Sequence, residues 1–139
     1  MSRLLLGAAA YVGPTFCLGF FWHLIAFDEV YRGLQIYRSD LIIPFGFAAM
    51  TVQGLIYSAV YSRVFGGSPV LAGALRFGAV AGVLAWTYGV LAVAAKHPMT
   101  SVPAFVGIET AFTLVQFALV SPLLAVVWRT MPKQASAQW

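Results

Sequence analysis

The chain has 139 residues and a formal net charge of +4, and 61% of its residues are hydrophobic while only 9% are charged. A soluble domain carries about 25% charged residues, so this composition excludes an ordinary soluble fold. The basic residues are scattered singly along the chain and form no basic run, which argues against a nucleic-acid partner. The composition therefore predicts a single transmembrane domain, residues 1–139, and the lipid bilayer is its expected binding partner.

Four long apolar stretches follow one another with only short polar breaks. They cover about Leu4–Phe27, Leu41–Phe65, Val70–Ala95 and Val102–Trp128. About 20 apolar residues are enough for a helix to cross the hydrocarbon core of a bilayer. The pattern predicts an all-α fold, a four-helix transmembrane bundle, with both chain ends on the same side of the membrane.

The first stretch is expected to stay in the protein as the first helix. Only Leu4–Gly7 precede the small residues Ala8–Ala10, whereas the apolar region of a signal peptide needs about 7–15 residues. Pro14 is expected to bend this helix, because it removes a backbone hydrogen bond. Cys17 is the single cysteine and is expected to be a small packing residue.

The segment between the first two helices, residues 28–40, is the longest polar stretch of the chain. Asp28 and Arg32 have the i,i+4 spacing of an ion pair on a helix. Tyr31 and Leu34 are three residues apart and so share a helical face. We expect a short interfacial helix or an ordered loop at the level of the lipid headgroups.

Small residues recur along the third helix, at Gly78, Gly82, Ala85 and Gly89. Gly78 and Gly82 have the spacing that lets two transmembrane helices approach closely. The stripe predicts close packing against a neighbour in the same bundle, and contact with another subunit is the alternative.

Glu109 is the only acidic residue within an apolar stretch. A carboxylate that faces lipid is unfavourable, so Glu109 is expected to face the inside of the bundle. Four other polar residues share its helical face or its depth in the membrane. The candidates for a ligand or proton site are therefore Glu109, His23, Tyr88, Thr113 and Gln116. A structural lock between helices is the alternative.

Arg76 lies within the third helix, where its side chain either extends to the interface or binds the phosphate of an anionic lipid, with Tyr11, Tyr57 or Tyr61 nearby. His23 and His97 lack the spacing of a metal or haem site, so no metal and no other cofactor is expected. No sequence motif for nucleophilic catalysis or phosphate binding is present, and no catalytic residue is predicted.

The sequence favours a membrane protein without a catalytic site that acts as a partner-binding accessory subunit or a homo-oligomer. A small transporter, or a binder of lipid or another small molecule in a polar cavity around Glu109, is the first alternative. An intramembrane enzyme is the second.

Basic residues near the helix ends predict the orientation. The side of the chain ends holds Arg3, Arg63, Arg129 and Lys133, and the opposite side holds Arg32, Arg38 and Lys96. This modest excess predicts cytoplasmic chain ends in a bacterial-type inner (plasma) membrane.

The first half of the chain resembles a family through short motifs. At the end of helix one and in the segment after it, these are Phe20, Phe21, Trp22, His23, Tyr31, Ile36 and Tyr37. In helix two they are Pro44, Gly46 and Phe47 at its start and Gln53, Gly54 and Tyr61 further along. They resemble small bacterial membrane proteins of the domain-of-unknown-function 1761 group. The resemblance implies a small four-helix membrane protein and brings no activity or cofactor.

Overall fold

The computed structural model describes residues 2–38 and 40–129, and this part of the chain is helical with short turns and no strand. Its α-helices are α1 (Arg3–Phe21), α2 (Asp28–Leu34), α3 (Ile43–Val60), α4 (Val70–Trp86), α5 (Ala92–Lys96) and α6 (Val102–Trp128). Wider π-helical turns extend α1, α3 and α4 without a break, at Trp22–Ala26, Tyr61–Phe65 and Thr87–Leu91. The all-α prediction is confirmed.

Four helical segments are long and apolar enough to cross a membrane. They are span 1 (Arg3–Ala26), span 2 (Ile43–Phe65), span 3 (Val70–Lys96) and span 4 (Val102–Trp128). Each limit lies within two residues of its predicted position, so the four-helix transmembrane bundle is confirmed as well. Lys133, which was used to predict the orientation, lies outside the described residues.

Local sequence explains where the spans begin and how they continue. The Ser101 side chain caps span 4 by accepting a hydrogen bond from a backbone N–H of its first turn. Pro44 and Pro103 lie in the first turns of α3 and α6. Backbone N–H groups in a first turn make no hydrogen bond within the helix, so proline is tolerated there. Both α1 and α6 continue as helices through their internal residues Pro14 and Pro122.

Span 1 packs between spans 2 and 4, and span 4 also packs against span 3. Glycine allows close approach at both outer contacts. A Cβ atom on Gly54 would lie 3.0 Å from the backbone oxygen of Ala8, and one on Gly78 would lie 2.9 Å from Ser121 Oγ. The small-residue stripe of span 3 therefore packs within the chain, although Gly89 at its far end has no neighbour within 4 Å of such a Cβ atom.

Two clusters of buried side chains fill the bundle. The larger one lies toward the end of the bundle where span 1 begins and span 4 ends, and it includes Tyr11, Tyr61, Phe77, Phe117, Leu124 and Trp128. The smaller one lies beneath the connector between spans 1 and 2 and consists of Tyr31, Leu34, Val90 and Phe105. Cys17 belongs to neither cluster, because it is exposed on span 1 rather than packed as expected.

The connector between spans 1 and 2 contains the predicted short helix, α2. Arg32 Nε lies 2.9 Å from Asp28 Oδ2, so the predicted i,i+4 ion pair is present. Tyr31 and Leu34 are both buried on the face of α2 that covers the smaller cluster. Gln35 ends α2 in the left-handed conformation, with φ of 57°.

The connector between spans 3 and 4 is bonded to α2. Thr100 Oγ1 donates to the backbone oxygen of Gly33 at 2.8 Å, and the Thr100 N–H donates to the backbone oxygen of Leu34 at 3.2 Å. These bonds join the two connectors at one end of the bundle. The α2 helix is therefore held as part of the fold, over the ends of the spans.

The Gly54 contact predicts how the bundle responds to one added methyl group. Gly54→Ala should lower the free energy of unfolding by about 1–3 kcal/mol, because the new Cβ would press on the backbone of span 1. Thermal unfolding in a mild detergent measures the effect. Gly13→Ala is the matched control, since a Cβ there meets nothing within 4 Å. Equal melting temperatures for the two variants would contradict the contact.

Candidate functional site

Glu109 lies two turns into span 4 and faces span 1 and α2. Its Oε1 atom lies 3.2 Å from His23 Nε2 and accepts a hydrogen bond of 2.7 Å from the Tyr31 hydroxyl. The side chains of His23 and Glu109 are only 18% and 14% exposed. The acidic residue therefore faces inward as predicted, and His23 is the predicted partner.

Each ring nitrogen of His23 lies within hydrogen-bond distance of one partner. His23 Nδ1 lies 2.9 Å from the backbone oxygen of Gly19. A carbonyl oxygen only accepts, so Nδ1 carries a hydrogen. His23 Nε2 faces Glu109 Oε1, so each of the two side chains has a polar partner inside the bundle in place of lipid.

Tyr31 completes the cluster as a hydrogen-bond donor from the connector. Burial raises the pKa of Tyr31 above its ordinary value, and the adjacent Glu109 carboxylate raises it further. Burial also raises the pKa of Tyr37, whose ring stacks on Tyr31 with centroids 5.1 Å apart. The Tyr31 hydroxyl therefore stays protonated at physiological pH. The sequence indicated that Tyr31 shares a face with Leu34, but not that it reaches Glu109.

Tyr88 does not join this cluster, contrary to expectation. Its side chain is 75% exposed, and Lys96 Nζ lies 5.7 Å from its ring centroid. Val90, two residues further on, is 2% exposed and belongs to the smaller buried cluster. Residues two positions apart lie on nearly opposite sides of a helix. Because Val90 faces the bundle, Tyr88 faces the lipid.

The other two members of the predicted stripe on span 4 have separate partners. Thr113 is buried, and its Oγ1 donates to the backbone oxygen of Glu109 at 2.8 Å within the same helix. Gln116 Nε2 donates to Tyr11 OH at 3.2 Å and to Thr15 Oγ1 at 3.4 Å on span 1. The stripe faces inward as predicted, but Gln116 belongs to a second polar group, near the middle of the membrane.

The second polar group continues from span 1 to span 2. Tyr11 OH donates to Gln53 Oε1 at 2.9 Å, so the hydrogen bonds run from Gln116 through Tyr11 to Gln53. In such a chain each bond polarises the next. Gln53 is the last acceptor, and within residues 2–38 and 40–129 its side-chain N–H groups have no hydrogen-bond partner. In the sequence, Gln53 stands out only as part of the motif that resembles the domain-of-unknown-function 1761 group.

A cleft of about 390 Å³ connects the two polar groups. It lies among spans 1, 2 and 4 and reaches the connector that contains α2. Its polar lining residues are Tyr11, Thr15, His23, Tyr37, Gln53 and Gln116, and its walls include Phe16, Phe20 and Phe112. Glu109 lies behind His23 and does not line the cleft. The predicted cavity is thus centred on Gln53 and His23 rather than on Glu109.

Arg76, the candidate for binding an anionic lipid, is exposed on α4. Of the tyrosines expected near its depth, Tyr11 and Tyr61 are buried in the larger cluster and Tyr57 packs against it. His97 is exposed after α5. In the described part of the chain, no group of three or more His, Cys, Asp or Glu side chains is arranged to hold a metal ion.

No family model matches the chain, and no curated protein or solved structure matches it. The resemblance of the first half to the domain-of-unknown-function 1761 group stays a prediction. The features of the structure that bear on function are the two polar groups and the cleft between them.

The Glu109 cluster predicts a measurable coupling between span 4 and α2. Tyr31→Phe and Glu109→Leu should each lower the free energy of unfolding by about 1–3 kcal/mol, because each leaves a polar partner unsatisfied. The double variant should lose less than the sum, since the two residues share one bond. Glu109→Gln should keep the fold, because an amide can bond both partners.

Unfolding in a detergent series measures these free energies. Tyr88→Phe is the control, since it removes a hydroxyl from an exposed tyrosine outside the cluster. Strictly additive losses in the double variant would show that Tyr31 and Glu109 do not interact.

Proposed function

We propose that this protein binds a lipid-soluble molecule carrying a hydrogen-bond-accepting oxygen, in the cleft among spans 1, 2 and 4. The observation that supports this proposal is the position of Gln53. It is the eleventh of the 23 residues of span 2, so its amide lies near the middle of the bilayer. It is exposed to the cleft, and its oxygen already accepts from Tyr11.

The free N–H groups of Gln53 define the chemistry of the ligand. An amide N–H without an acceptor is unfavourable in hydrocarbon, where no water replaces the missing bond. A ketone, ester or ether oxygen in the cleft would accept from it. Since the oxygen of Gln53 and the hydroxyl of Tyr11 are already engaged, we expect an acceptor rather than a donor on the ligand.

The walls of the cleft define the rest of the ligand. A volume of about 390 Å³ is within the ~300–1,000 Å³ of typical small-molecule sites. Phe16, Phe20 and Phe112 present aromatic surface to it, which favours a planar apolar group. Phe20 and Ile43 are exposed on the outside of the spans, so the ligand would enter from the bilayer.

The sequence also suggested a small transporter and an accessory subunit or homo-oligomer, and the cleft bears on these two hypotheses in different ways. A small transporter would use the same cleft and differs only in releasing its ligand on the other side. The accessory-subunit or homo-oligomer interpretation is motivated by the aromatic content of 15%, the small-residue stripe of span 3 and the lack of catalytic motifs. Since Gly78 of that stripe packs on Ser121 within the chain, the cleft supports a stronger proposal.

A 4-alkylbenzophenone tests the binding proposal, because its ketone is both the acceptor and the photoreactive group. Irradiation of the purified protein should crosslink it to cleft residues, which peptide mapping identifies. Gln53→Leu should reduce labelling about twofold to twelvefold, the value of one neutral hydrogen bond of ~0.5–1.5 kcal/mol.

Thr51→Val is the matched control on the same helix, because the Thr51 hydroxyl bonds its own backbone and lies outside the cleft. Labelling that is unchanged in Gln53→Leu, or crosslinks that map outside the cleft, would refute the proposal.

We also propose that the membrane is a bacterial-type inner membrane and that both chain ends are cytoplasmic. The support is the distribution of basic residues. Arg3, Arg63 and Arg129 lie at the end of the bundle that holds the chain ends, and Arg76 lies two turns from it. Of the basic residues at the other end, Arg32 is paired with Asp28.

Cysteine labelling in intact bacterial cells tests this orientation, in a Cys17→Ser background that removes the native thiol. Glu29→Cys, on the exposed face of α2, should react with an impermeant maleimide added outside. Ser68→Cys, in the turn between spans 2 and 3, should react only after the cells are opened. The opposite labelling pattern would reverse the topology.

A further inference from the structure

A second cleft, of about 480 Å³, runs along the lipid-facing side of spans 3 and 4. Its rims include Leu71, Leu75, Val83 and Leu114, each more than half exposed, so it opens sideways into the bilayer. From Leu71 to Trp86 it extends about 22 Å at ~1.5 Å per residue. We call it the span 3–4 groove. It is separate from the cleft that contains Gln53.

Two exposed arginines flank the groove at the end of the bundle where span 1 begins and span 4 ends. Arg76 follows the rim residue Leu75 on α4. Arg129 follows α6 and lies seven residues, or two turns, beyond the rim residue Pro122 on the same helical face. Both cations therefore lie next to the apolar groove, one on each of its walls.

These two cations have no acidic partner. In residues 2–38 and 40–129, neither Arg76 nor Arg129 makes an ion pair or a side-chain hydrogen bond. At the opposite end of the bundle, by contrast, Arg32 and Arg38 are paired with Asp28 and Asp40. The remaining acids, Glu29 and Glu109, also lie in that half of the protein. No acidic side chain in the part of the chain that the structure describes is therefore paired with the groove arginines.

We propose that the span 3–4 groove binds an anionic phospholipid, with one acyl chain along the groove and the phosphate between Arg76 and Arg129. The length and apolar lining of the groove suit an acyl chain, and the two guanidinium groups suit a phosphate. A zwitterionic lipid supplies the same acyl chain but a compensating positive charge, so it binds more weakly.

Ser121 adds a polar contact at the depth expected for the ester groups of that lipid. It lines the groove and is 2% exposed, and its hydroxyl has no hydrogen-bond partner among residues 2–38 and 40–129. The packing of Gly78 against Ser121 places this hydroxyl within one turn of the level of Arg76. An ester carbonyl of the bound lipid would accept from it.

Native mass spectrometry of the purified full chain tests the proposal with dioleoylphosphatidylglycerol and dioleoylphosphatidylcholine as probes. The wild type should bind the anionic lipid at least about tenfold more tightly. Arg76→Gln and Arg129→Gln should each reduce this preference about fivefold, the effect expected for one basic residue at an anionic lipid surface. Arg63→Gln is the matched control, at the same end of the bundle but outside the groove.

The groove itself is tested by Ala79→Phe, which fills it from an exposed position and should reduce binding of both lipids, with Ala48→Phe on span 2 as control. Because Arg76 and Ala79 are both exposed, their variants leave the buried contacts intact. Equal affinity of the wild type for the two lipids would overturn the proposal. An equal loss of lipid preference in Arg63→Gln, or unchanged lipid binding in Ala79→Phe, would also overturn it. Displacement of the lipid by an equimolar amount of glycerol 3-phosphate would overturn it too, because it would indicate a headgroup site alone.

Discussion

A carboxyl group inside a membrane must find its hydrogen bonds within the protein. The arrangement of this bundle follows from the hydrogen bonds that Glu109 makes. Lipid offers no donor, so the cost of Glu109 is met by His23 of span 1 and Tyr31 of α2. These two contacts join elements from three parts of the chain. They hold span 4 against span 1 and keep the connector over the end of the bundle, where the Thr100 bonds to α2 add a second attachment.

The close contacts between helices leave two separate openings in the bundle, a cleft and a groove. Gly54 brings span 2 onto span 1, and Gly78 brings span 3 onto span 4. The gap left among spans 1, 2 and 4 is the cleft that contains Gln53, and the outer side of spans 3 and 4 forms the groove beside Arg76. The two sites differ in chemistry, because one offers N–H donors at mid-membrane and the other offers cations at the interface.

Hydropathy alone determined the number and limits of the spans, because the bilayer requires about 20 apolar residues per helix whatever the packing. The inward direction of Glu109 was predictable for a similar reason, since its exposure to lipid is unfavourable in any arrangement. The Asp28–Arg32 pair was predictable because both partners lie on one helical turn, so their spacing in the chain fixes their spacing in space.

The tertiary structure decided which polar residues meet. Depth in the membrane placed Tyr88 near Glu109, but depth does not define the rotation of a helix about its axis. That rotation follows from packing between distant residues, which turns Val90 inward and Tyr88 to the lipid. For the same reason the Tyr11–Gln53 bond, between residues on different spans, could not be predicted from spacing. Periodicity determines which residues share a face, whereas only contacts between helices determine what that face touches.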